Sequence, residues 1–152
     1  MNTNLKHRVI DYLHTHTVLT LATSGPEGVW AAAVFYVNSD FTCYFLSAPA
    51  SRHSRNIAAN PRVAGTIQEN YTDWPDIKGI QFEGECTRLE GDEQAAAIKL
   101  YGTKFPIIRQ IDQAPPEIVR AMSKVGWYKI VPTRLYFIDN SQGFGHRDEV
   151  QW

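Results

Sequence analysis

This chain carries very little that reads as a self-sufficient catalytic apparatus. It has only two cysteines, Cys43 and Cys86, and neither belongs to a CxxC pair. Disulfide scaffolding and thiolate metal sites therefore lack their ligands, and two buried, reduced thiols in a cytoplasmic protein are the expectation. Charge of one sign is missing too. A net charge of −1 over 152 residues gives no general pull on nucleic acid, so an anion site would have to be local. No apolar run is long enough to span a membrane, and no signal-peptide pattern opens the chain. GxGxxG after a strand, GxxxxGK[ST] and GxSxG are all absent, which removes the dinucleotide fold, the P-loop and the nucleophile elbow. Glu83 and Glu85 share one strand face and read as a solvated face, not an acid–base pair. His14 and His16 form an HxH pair without a carboxylate or cysteine cluster, so no metal site is expected.

The composition that is present, 43% hydrophobic and 20% charged, is ordinary for a globular protein. The length suits one domain, residues 1–152, with a proper core. Apolar positions at Leu5, Val9, Tyr12 and Leu13 predict a helix over Asn4–His14. Val18–Ala22, Val29–Val37 and Phe41–Leu46 read as strands joined by short turns. Gly79–Leu89 alternates as a half-buried strand, with Gly84 marking a bulge. Asp92 is placed to cap a helix through Tyr101, and a further helical piece runs from Pro115 to Met122. Trp127–Val131 and Thr133–Ile138 read as a bent final strand pair around Pro132. The pattern is mainly β with peripheral helices: about six antiparallel strands in a small barrel or sandwich.

The stretch Leu46–Ile67, LSAPASRHSRNIAANPRVAGTI, holds the strongest chemical signal. A strand ends, a small-residue loop follows, and Ser51, Arg52, His53, Ser54 and Arg55 open a short helix that stops at Asn60-Pro61, with an apolar strand, Val63–Ile67, following at once. A helix start offers free N–H groups and partial positive charge. Two hydroxyls, two guanidiniums and an imidazole crowd the same turn, as a phosphate would require. An ordinary serine-capped helix with solvated arginines fits the same residues. A phosphate cradle without a catalytic set points to a cofactor that carries the chemistry itself.

Trp30-Ala31-Ala32-Ala33-Val34-Phe35-Tyr36, then Leu46-Ser47, Ser51-Arg52-His53 and Asn60-Pro61-Arg62-Val63, together resemble the pyridoxamine 5′-phosphate oxidase-like family of FMN-binding split barrels. The strand Gly79–Glu85 and the tail Asp139–Gly145 are similar to a small bacterial subgroup of it. The resemblance implies a six-stranded Greek-key split barrel, a homodimer, and FMN in clefts between subunits. It places Ser51 and Arg52 on the phosphate, with His53 where lysine is usual. It lays Ala31, Ala32, Ala33 and Val34 along the flavin ring, largely through backbone. It brings Leu46 and Ser47 to the ribityl-phosphate end, and Gln81 to the cofactor from the other side. Three alanines packed inside a sheet would read the same without the resemblance.

The departures bear on substrate. Tyr36 stands where the true oxidase has a substrate-gripping lysine, Phe105 where it has an arginine, and Gly145-His146-Arg147 lacks the Arg-x-His order. The expected activity is therefore FMN-dependent oxidoreduction of another small-molecule substrate, with no catalytic residue assigned. Trp74, Tyr71, Phe105 and Phe144 are candidates for its pocket. A flavin carrier or sensor without turnover is the alternative. So is a heme or deazaflavin split barrel, in which His53 or His146 would matter.

Overall fold

Leu5, Val9, Tyr12 and Leu13 fall on one side of helix α1 (Thr3–Thr15), and all four are buried. The computed structural model describes residues 3–152. After α1, strands β1 (Val18–Gly25) and β2 (Gly28–Phe35) form a hairpin, and β3 (Val37–Ser39) pairs with β4 (Thr42–Ser47). Helix α2 (Arg52–Ala59) leads to β5 (Arg62–Gln68) and β6 (Lys78–Arg88). Helices α3 (Gly91–Lys104), α4 (Pro106–Arg109) and α5 (Pro116–Met122) precede β7 (Gly126–Asp139) and β8 (Arg147–Glu149).

These strands make one antiparallel sheet in the order β2-β1-β5-β6-β7-β4-β3, with β8 on β7. The sheet curls until β2 and β4 approach each other, yet the two do not pair, so the barrel stays split. Alternation decides which side is inside. Leu19, Leu21, Phe45, Ile67, Ile80, Ile130 and Leu135 fill the curl and are almost fully buried. Helix α2 crosses from β4 to β5 over one end of it. Asn56 Nδ2 there donates to Thr23 Oγ1 at 3.0 Å. Gly25 makes the approach possible, since a Cβ on it would lie 2.1 Å from Asn56 Oδ1.

The six long strands, β1, β2 and β4 to β7, are those expected; two three-residue strands bring the sheet to eight. The segment expected as one strand from Val29 to Val37 breaks at Tyr36. That residue turns into the core, its amide donating to Thr17 O at 3.0 Å and its hydroxyl to Leu13 O at 2.7 Å. Pro132, by contrast, does not divide the last strand. It sits opposite Gly84, where the β6–β7 register shifts, and such an irregularity tolerates a proline within a strand. Glu90, not Asp92, occupies the N-cap of α3; Asp92 lies in the first turn, where its charge suits the helix dipole. No helix among the described residues is long and apolar enough to cross a membrane.

A candidate anion and cofactor site

Ser51 is extended at the N-cap of α2, and its Oγ accepts from the Ser54 amide at 3.4 Å. The same hydroxyl donates to Ser54 Oγ at 2.8 Å. The end of β4 brings Ser47 into this turn. Its Oγ lies 2.6 Å from His53 Nε2 and 3.2 Å from Ser51 Oγ, and Ser51 Oγ is 3.3 Å from the same imidazole nitrogen. Ser47, Ser51 and His53 thus converge at a helix start with no acidic residue in its first turn. Burial lowers the His53 pKa below its ordinary value, so the free turn favours the neutral ring.

Arg52 points to the β1–β2 turn. Its guanidinium carbon lies 4.4 Å over the Trp30 ring, and Nη2 donates to Glu27 O at 3.3 Å. The Glu27 carboxylate stands 3.9 Å from Nε, an ion-pair distance but not a hydrogen bond. Arg52 Nε is buried with no hydrogen-bond partner. A buried charged donor left unbonded is costly, which favours an incoming anion. Arg55 faces elsewhere, into a separate cleft beside Arg88.

The β2 residues divide by face. Ala31 and Ala33 are exposed on the outer surface, Ala32 is half-buried, and Val34 is buried inside. The outer row runs Ala33–Thr20–Thr66–Gln81 across β2, β1, β5 and β6. Gln81 is exposed on that row, three strand spacings from Ala33, or roughly 14 Å. Within one chain, Gln81 and β2 do not meet. Leu46 is also parted from the serine turn, since its side chain packs with Tyr101 and Trp127 in the smaller core cluster.

Sequence reasoning missed a concavity of about 620 Å³. It lies on the outer face beside the alanines and is lined by Ala22, Val29, Ala64, Glu83 and Glu85 among others. Its signal was the run of small outward residues facing one another on three neighbouring strands.

The aromatic candidates fall in three places. Trp74 and Phe144 meet edge to face at 5.6 Å and are both exposed. Phe105 packs on Tyr101 and Phe35. Tyr71 is 3.2 Å from the Tyr12 hydroxyl. Among the histidines, His16 Nε2 lies 2.7 Å from Glu69 and His146 Nε2 lies 3.0 Å from Asp148. Lys104 Nζ lies 4.2 Å over Tyr36, with its pKa pushed down to about 8 by burial. It donates to Leu13 O and His16 O, tying α3 to the end of α1.

The fold agrees with what the chain is similar to. A family model described as pyridoxamine 5′-phosphate oxidase matches residues 5–139, and the chain belongs to that family. Within it, a UPF0306 protein of Photorhabdus laumondii is 34% identical over 148 residues, covering 96% of this chain and 93% of the relative. Among solved structures, a heme binding protein from Mycobacterium smegmatis superposes with a TM-score of 0.71 at 23% identity, covering 92% of this chain and 55% of that one. HutZ, the heme storage protein from Vibrio cholerae, gives a TM-score of 0.69 at 20% identity, covering 86% of this chain and 92% of its own. The last two are likenesses of fold alone.

Proposed function

We propose that this chain is an FMN-binding flavoprotein, active as a homodimer, that moves hydride or electrons between a small donor and acceptor. The observation that carries the reading is the buried Nε of Arg52, which has no hydrogen bond, on the residue between Ser51 and His53 of the serine–histidine turn. That donor set fits a phosphate monoester. Ser47 and Ser51 supply hydroxyls, the α2 start supplies N–H groups, and Arg52 supplies a fixed positive charge. Bound FMN would supply hydride and electron transfer, which no side chain here provides.

The chain's own part is positional. The exposed outer edge of β2, with Ala31 and Ala33, offers a flat surface and unpaired backbone groups to a ring. The roughly 14 Å between that strand and Gln81 supports a two-chain site. Gln81 would reach a cofactor on β2 from a second subunit, which would also cover the outer cleft. Tyr36 is fully buried and bonded to Leu13 O, so it does not take over a substrate-gripping lysine's role. Pyridoxamine phosphate is accordingly not the proposed substrate.

A second reading, heme binding, is favoured by the two heme-related proteins of the same fold. Parallel titrations with FMN, riboflavin and heme separate the readings. The proposal expects saturable FMN binding with riboflavin at least tenfold weaker, because riboflavin lacks the phosphate. Equal affinity for both flavins would remove the phosphate turn from the site, and tight binding of heme alone would replace the reading.

A further inference from the structure

Behind the serine turn, α2 and the ends of β6 and β7 enclose a second cleft of about 360 Å³. Its floor is largely apolar, with Pro49, Ile57, Pro61 and Tyr128, and Arg55 and Arg88 both line it. No acidic residue lines the cleft, and neither guanidinium has a hydrogen-bond or ion-pair partner among the described residues. We propose that this cleft is a second anion site, taking a small organic phosphate or carboxylate whose apolar body lies on Tyr128 and Ile57 while Arg55 and Arg88 hold the charged end.

The seat of Arg88 supports this. Gly126, opposite Ser47 on β4, has no side chain, and the Arg88 guanidinium, through Nε, and the Tyr128 ring occupy the space above it. A Cβ on Gly126 would lie 3.1 Å from Arg88 Nε and 3.1 Å from the Tyr128 hydroxyl. The bare backbone thus lets Arg88 lie beside a phenol, at the rim of an apolar hollow. Arg55 comes from a different element, α2. Two cations from separate elements that line one cleft, with no acid in its lining, favour an anion there. Guanidiniums suit that task, since each can bond two oxygens of one phosphate or carboxylate.

The site is distinct from the turn of Ser47, Ser51 and His53, and the two are tested separately. The probe is phenyl phosphate, titrated into the full chain while the Nε–H signals of ¹⁵N-labelled arginines are followed. Saturable shifts of the Arg55 and Arg88 signals with one common Kd are expected. Arg55→Gln and Arg88→Gln, both at exposed positions, should each weaken that Kd at least tenfold, while Arg52→Gln leaves it unchanged. Inorganic phosphate should bind at least tenfold more weakly, since it lacks an apolar body. Unmoved Arg55 and Arg88 signals, or shifts lost with Arg52→Gln but kept in Arg88→Gln, would overturn the proposal.

Discussion

Arg52 lies 4.4 Å over the ring of Trp30, and this contact ties the first turn of α2 to the start of β2. It holds the guanidinium against the β1–β2 turn while leaving Nε buried and without a hydrogen bond. Arg52→Ala is therefore expected to weaken FMN binding by about 1.5–3 kcal/mol, the range for a lost hydrogen bond to a charged partner. That is roughly a ten- to hundredfold rise in Kd. Flavin fluorescence titration reads it directly, and unchanged affinity would take Arg52 out of the site.

His53 should make phosphate binding depend on pH. Burial lowers its pKa, so the ring is neutral in the free turn, and a phosphate dianion bound there would favour the charged form. Binding should then take up a proton, and affinity should rise as pH falls toward the imidazole's range. In the free protein the sign is opposite. A depressed histidine pKa lowers stability as pH falls through about 6.5. Calorimetry in two buffers of different ionisation enthalpy measures the uptake. His53→Lys, already charged, should take up less; equal uptake in both proteins would assign the proton to the phosphate alone.

Asp139 anchors the end of β7. Burial acts to raise its pKa, but bonds from Ser141, Gln142 and Arg8 outweigh it and hold the carboxylate at about 2. Because the folded value lies below the unfolded one of about 3.9, the stabilisation is present above that value and disappears as pH falls toward 2. It amounts to about 2 kcal/mol. Asp139→Asn should lose a similar amount at pH 7 and show a flatter acid-unfolding profile in urea titrations. An unchanged profile would show that the carboxylate is not held in its charged form.

Gly84 is demanded by sterics. A Cβ there would meet Val131 O at 2.4 Å, where the β6–β7 register shifts. Gly84→Ala should cost about 1–3 kcal/mol by overpacking. Thermal unfolding tests this, and an unshifted Tm would mean that the bulge can relax.

The residues that were legible in the sequence have local causes. Ser51 before a short helix, Gly84 within an alternating strand and the apolar spacing of α1 each follow from neighbours a few positions away. Arg55 was less legible. It shares the turn's sequence with Arg52, but its position on the helix turns it toward Arg88, some thirty residues later in the chain. Gln81 sits on the expected face of its strand, yet its separation from β2 depends on the order of four strands, which no local pattern encodes. The break at Tyr36 likewise comes from Leu13 and Thr17, which meet it only once α1 packs on the barrel.

The visible absorption spectrum of freshly purified protein, with chromatography of whatever denaturation releases, decides whether the chain holds FMN. An FMN-binding split barrel shows a flavin spectrum, on isolation or after adding FMN, and releases FMN. A Soret band with released heme, or a colourless protein that leaves added FMN unbound, would contradict the FMN reading.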